Sequence, residues 1–206
     1  MSIKEILNEL STKRAPGPTP SFNVLDLIRF LNLLAEAGSL GRGKISRMLE
    51  LGEGTIRTIL SRLSEAGLIT TSRKGCSLTQ KGKALWNVFK GIMPEIIELE
   101  EVDLMLAPKN VAVLVRGYAE KVRNGIEQRD AAISRGAKGA VTMICKGNKI
   151  IIPGVNMDLE RGYPATFRKI MFLMKPKDGD VIIVSSANTR KEAEYGALAA
   201  AWLTIS

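Results

Sequence analysis

The sequence predicts an α+β fold in two parts: helices closed by a β-hairpin, then a mixed domain in the order βαββαβα. Three observations carry this reading. Apolar residues recur at i, i+3, i+4 and i+7 through 3–10, 24–34 and 56–63, the stripe of helices that bury one side. Between 68 and 78 the pattern gives way to two short β-prone segments around the turn Ser72-Arg73-Lys74-Gly75. Beyond residue 109, strand-like runs at 110–115, 140–146, 149–152 and 180–185 are interleaved with helical ones.

Taken in order, Ile3, Ile6, Leu7 and Leu10 mark a short amphipathic helix, which needs a surface to lie on. Its own domain or a dimer partner could supply that surface. STKRAPGPTPS follows, with three prolines in five residues, and reads as a linker; residues 1–21 thus form a leading segment. Residues 23–36 are helical and stop at Gly38. Val24, Leu27, Ile28, Leu31 and Leu34 form the main stripe, while Leu25, Phe30 and Leu33 add a second apolar side. Residues 44–49 make a short helix, Glu50-Leu51-Gly52 a turn, and 53–66 a third helix that buries Ile56, Ile59, Leu60 and Leu63. The hairpin and a fourth helix, with Thr79 as N-cap, complete a domain over 22–90.

Residues 91–108, with the acidic run ELEEVD, read as a connector. The domain over 109–206 then holds a strand at 110–115, a helix at 124–135 and a hairpin turning at Gly147-Asn148. A helix around Phe167, Ile170, Met171 and Met174, a strand at 180–185 and a last helix at 189–205 follow. That order matches the split βαβ, ferredoxin-like plan with one added helix. A doubly wound or profilin-like sheet is the alternative.

Of the 206 residues 45% are hydrophobic, yet no apolar run reaches the ~18–20 residues of a membrane helix. Lys4, Glu5 and Glu9 interrupt any signal-peptide core. Cys76 and Cys145 stand far apart, which fits a reducing compartment, and a cytoplasmic protein is expected. Histidine is absent, which removes the usual general base and the commonest transition-metal ligand. No P-loop, dinucleotide glycine fingerprint or paired catalytic carboxylates stand at a recognisable spacing. The expectation is a protein that is not an enzyme and uses no metal or cofactor. Net charge is +9 and uneven: residues 1–90 carry 14 Lys+Arg against 7 Asp+Glu, and 91–206 carry 16 against 14. An anionic partner for the first part follows.

With its stripe buried, the helix at 53–66 presents Thr55, Arg57, Thr58, Ser61 and Arg62. In a helix-turn-helix the second helix enters the major groove. There Arg can bond guanine bidentately, and Thr or Ser can meet bases or phosphates. Arg42, Lys44 and Arg47 suit phosphates, and Arg73 and Lys74 at the hairpin tip suit the minor groove or flanking backbone. The basic tip and the lack of exposed aromatics favour duplex over single strands. The succession of helix, short helix, turn, helix, GLI, basic hairpin and LTQKGKALW resembles the winged helix-turn-helix domain of bacterial and archaeal transcription regulators. LGEGTIRTILSRLSEAGLI is most similar to an archaeal regulator family whose C-terminal α/β domain is of unknown function. The resemblance implies a transcription regulator that binds double-stranded DNA.

In the second domain, Ile126 and Ile133 define the buried direction of their helix, leaving Arg129 and Asp130 at the border of its apolar stripe. Ser185-Ser186-Ala187-Asn188-Thr189-Arg190 runs from a strand into a helix N-terminus, where free N–H groups favour an anion. Thr189 to Glu192 is equally a capping box. Arg129, Asp130, Ser185, Ser186, Asn188, Thr189 and Arg190 are therefore candidate ligands for a small anionic or polar metabolite. The last helix carries a small stripe, Ala193, Gly196, Ala197 and Ala200, for close packing on the sheet. Its bulky stripe, Tyr195, Leu198, Trp202 and Ile205, suits a homodimer partner or a segment of the same chain. The expected function is a dimeric, sequence-specific transcription regulator with a sensing domain. The alternatives are an enzyme fused to a winged helix, and a winged-helix docking or architectural DNA-binding protein.

Overall fold

In this computed structural model the described residues are 2–12, 22–100, 102–104 and 106–205; most of the proline-rich linker lies outside them. The chain divides into two compact units, Met1–Phe89 and Lys90–Ser206. Among the described residues no helix is long and apolar enough to cross a membrane.

The first unit runs α1 (Ile3–Thr12), α2 (Val24–Ala37), α3 (Arg42–Leu49), α4 (Glu53–Glu65), β1 (Ile69–Ser72), β2 (Gly75–Leu78) and α5 (Gln80–Ile92). α2 is its hub, with Leu27, Ile28 and Phe30 fully buried because both apolar sides are covered. A capping box starts it: the Leu25 N–H donates to Asn23 Oδ1 and the Asn23 N–H to Asp26 Oδ2, both at 2.8 Å. α1 packs on this same unit, burying Ile3, Leu7 and Leu10. Between α3 and α4, Glu50 takes a left-handed φ of 53°. The buried Arg29 donates to the Leu49 carbonyl at 3.0 Å, tying that reversal to α2. β1 and β2 are antiparallel, Ile69 opposite Leu78 and Ser72 opposite Gly75, which leaves Arg73 and Lys74 at the tip. Leu40 and Cys76 exchange backbone hydrogen bonds of 3.0 and 2.8 Å and fix the hairpin to the segment before α3.

The second unit contains β3 (Ile96–Glu98), β4 (Lys109–Val115), α6 (Ile126–Ile133), β5 (Gly139–Lys146), β6 (Lys149–Ile152), β7 (Met157–Asp158), α7 (Leu159–Gly162), α8 (Pro164–Met174), β8 (Val181–Ala187) and α9 (Arg190–Thr204). Its sheet has the order β3-β4-β8-β5-β6-β7, antiparallel at every pairing. The fold is thus α+β, but this order departs from the ferredoxin-like plan. That plan would put β4 and β6 at the centre, whereas β8 and β5 hold it here. Length and burial explain the exchange. β6 has four residues and leaves the sheet at Pro153, while β8 is buried at all seven positions. Helices also cover both faces. Ile182 and Val184 pack with Ile170 and Met174 of α8, and Ser185 lies beneath Gly196 of α9. Antiparallel pairing throughout equally excludes a doubly wound parallel sheet.

The segment 91–108 is no bare connector. α5 runs into it, β3 pairs with β4, and Leu99, Val102 and Leu104 enter the core of the second unit. Two of its acids have partners: Glu98 meets Lys109 (3.5 Å) and Arg190 (3.1 Å), and Asp103 meets the start of a helix. Asp103 caps α8, accepting from the Ala165 and Thr166 N–H groups at 3.0 and 2.9 Å.

Candidate nucleic-acid interface

α4 is a helix with two different halves. Ile56, Ile59 and Leu63 are buried and Leu60 half-buried, which turns Arg57, Thr58 and Ser61 to solvent, with Thr55 half-buried beside them. Thr58 donates to the Gly54 carbonyl (3.1 Å) and Ser61 to Glu65 (2.9 Å). On α3 the burial of Ile45 and Leu49 leaves Lys44, Arg47 and Met48 exposed. Arg42, the first residue of α3, reaches Glu53, the first of α4, at 3.7 Å, so the starts of the two helices lie side by side. That pair is exposed and of little energetic weight, leaving the guanidinium able to exchange partners. Arg73 and Lys74 are exposed at the hairpin tip, and Ser39 donates to the Lys74 carbonyl at 3.2 Å.

Arg62 is not part of this surface. It is 5% exposed, donates to the carbonyls of Leu10 (2.8 Å) and Ser11 (3.1 Å), and its guanidinium lies 5.0 Å from the Phe22 ring centroid. The cause is α1, whose last carbonyls need donors and whose negative dipole end attracts a cation. Helical spacing placed Arg62 outside the stripe of α4 but carried no information about a helix arriving from 50 residues upstream.

The sequence reading overlooked the glycines. α3 starts Gly41-Arg42-Gly43 and α4 starts Gly52-Glu53-Gly54; neither N-cap has a side-chain hydrogen bond. Among the described residues, a Cβ at Gly41, Gly43 or Gly54 would meet nothing within 4 Å, and none of the three has a positive φ. Gly43 and Gly54, the second residues of their helices, therefore cost each helix up to about 0.5–1 kcal/mol relative to Ala, with no contact among the described residues to offset it. Both buried thiols are remote from chemistry: burial pushes Cys76 up to about 11 and Cys145 up to about 12.

The partners found for candidates of the second unit are separate ones, and the buried Ser185 Oγ has none among the described residues. α6 buries Gln128 and Ala132, while Ile126 and Ile133 are each 46% exposed, so the expected buried direction is reversed. α6 packs against the small face of α9, where Ala132 fits close to Gly196 and Gln128 reaches Thr204 at 3.3 Å. Arg129 and Asp130 are exposed and pair with each other at 3.0 Å. Ser185 and Ser186 are buried, Ser186 donating to Asn110 Oδ1 at 2.6 Å. Thr189 and Glu192 form a capping box at the start of α9. Asn188 and Arg190 are exposed, and Arg190 is paired with Glu98.

Residues 23–84 match the family model "PH0730-like, N-terminal domain", and residues 106–205 match "Domain of unknown function (DUF4443)". Among solved structures, the hypothetical protein PH0730 from Pyrococcus horikoshii OT3 is 34% identical with a TM-score of 0.73, covering 89% of this chain and 92% of that one. No curated protein matches.

Proposed function

The chain belongs to the PH0730-like family, and we propose that it is a duplex-DNA-binding transcription regulator whose first unit is a winged helix-turn-helix. In this reading α4 enters the major groove, with Arg57 and Thr58 at base edges. α3 and the hairpin tip lie along phosphates through Arg42, Lys44, Arg47, Arg73 and Lys74. The observation that carries it is the start of α4. A solvent-facing Arg-Thr pair follows a glycine that no neighbour among the described residues requires. A phosphate backbone approaching the first turns of α3 and α4 supplies the missing reason, since it needs both the uncapped N–H groups and the absence of Cβ atoms. Two copies on a twofold axis would read half-sites ~34–36 Å apart. Sedimentation equilibrium should then return twice the 22.4 kDa chain mass.

Titration of labelled duplex against salt tests the reading. Five phosphate contacts per copy give a slope of about −4.5 in log K against log salt, and about −9 for two copies bound together. Arg57→Ala should weaken binding with little change of slope, and Lys44→Ala together with Arg73→Ala should flatten it. Affinity indifferent to both salt and these substitutions would overturn the reading.

A further inference from the structure

The groove at the start of α6 has properties that DNA binding leaves unused. β5 pairs with β8 along Gly139–Ile144 but with β6 only from Ile144 to Lys146. Beyond that point β6 has turned away, and the free edge of β5 faces a cavity of about 360 Å³ whose walls include Asn124, Gly125, Ile126, Arg129, Thr142 and Val155.

Three features of its walls suit the same kind of ligand. Thr142 is 3% exposed and its Oγ1 has no hydrogen-bond partner among the described residues, a costly state for a buried hydroxyl. No side chain at position 125 screens it; a Cβ there would stand 3.4 Å from Oγ1. α6 begins at this wall with Gly125 as N-cap and no side-chain cap. Asn124 Oδ1 accepts from the Ile126 N–H at 3.1 Å, but the Glu127 and Gln128 N–H groups meet no acceptor among the described residues. Such a helix start favours negative charge. Arg129 supplies one cation, whose partner among the described residues is the exposed Asp130. The remaining surface is apolar, with Ile126 46% and Val155 66% exposed.

We propose that this groove binds a small carboxylate with an apolar body. The carboxylate accepts from the Thr142 hydroxyl, the first-turn N–H groups of α6 and Arg129, while the apolar body covers Ile126 and Val155. A single cation beside apolar walls matches a monoanion better than a phosphate dianion, which would leave charge uncompensated. Binding here requires no DNA, so its success or failure is separate from that of the DNA reading.

Isothermal titration of the full chain with phenylacetate and 4-methylpentanoate tests this, with 2-phenylethanol and inorganic phosphate as controls. At least one carboxylate should bind saturably with Kd below about 1 mM, and about tenfold more tightly than either control. Thr142→Val should weaken it about tenfold, Thr142→Ser should restore it, and Arg129→Gln should weaken it severalfold. Arg190→Ala should leave it unchanged. Arg129 is exposed, so Arg129→Gln decides should Thr142→Val fail to fold. Neither carboxylate binding, the alcohol binding as tightly as the acid, or a Kd unmoved by the folded variants would each overturn the proposal.

Discussion

In the second unit, a Cβ added at Gly139, Gly154, Gly162 or Gly196 would fall within 2.8 Å of a neighbouring atom; at Gly41, Gly43 and Gly54 of the first unit it would meet nothing within 4 Å among the described residues. The first group is demanded from inside. Gly196 lets α9 settle on the sheet, where its Cβ would strike Ser185 Oγ and stand 2.8 Å from Ala137. Gly75 and Gly82 of the first unit are of this internal kind too, closing on Leu40 and Leu68. The second group has no such neighbour, and two of its members sit inside helices, where glycine is unfavourable. One kind of glycine therefore reports on packing; the other, an open character that Gly91 near the end of α5 shares, has no packing reason among the described residues.

The largest effect expected from this contrast is at Gly196. Gly196→Ala should destabilise the second unit by about 2–3 kcal/mol through overpacking, seen as a lower thermal midpoint. Retained stability would mean that α9 and the sheet are less closely packed than described. Next comes the contrast between the two arginines of α4. Arg62→Ala should lower stability by about 2 kcal/mol, because it leaves the last carbonyls of α1 without their buried donor. Arg57→Ala, at an exposed position, should leave stability within about 0.5 kcal/mol and act on DNA affinity alone. Equal melting of the two variants would contradict the division of the helix.

Gly54→Ala should move two quantities in opposite directions. Stability should rise by up to about 0.5–1 kcal/mol as helix propensity improves, while affinity for duplex DNA falls. If both rise, or neither moves, an outside surface is not the reason for this glycine.

The smallest effect concerns Asp103. Burial pushes its carboxyl upward, but hydrogen bonds from the Thr166 hydroxyl and the Thr166 and Ala165 N–H groups outweigh that and hold it below the usual aspartate range. The stabilisation is therefore present above the unfolded pKa of about 3.9 and lost as pH falls through the lower folded value. Asp103→Asn should cost about 1 kcal/mol at neutral pH, kept small by exposure, with the gap to the parent closing in acid. Urea midpoints of both proteins between neutral and acid pH will reveal whether it closes.

Local rules went far in the first unit. The stripe Ile56-Ile59-Leu63 and the turn residues around Arg73-Lys74 are short-range signals, and they place α4 and the hairpin tip. Arg62 escaped them because its partners, Leu10 and Ser11, are remote in sequence. In the second unit long-range pairing governs more. Two isoleucines seven residues apart suggested the wrong buried face of α6, whose true neighbour is the small-residue side of α9. Which strand takes the centre of the sheet also depends on where β6 turns away, which local hydrophobicity does not reveal. In ELEEVD the acids drew attention, although Leu99 and Val102 between them are core residues. The glycines of GRG and GEG were visible throughout; recognising them required knowing that no neighbour among the described residues needs them.

The most direct test of the central claim is selection of bound duplexes from a random library, run in parallel with the parent protein and Arg57→Ala. A groove-reading α4 predicts an enriched motif from the parent, and loss of preference at one position, a guanine, in Arg57→Ala. No enrichment with the parent, or an identical motif from both proteins, would contradict it.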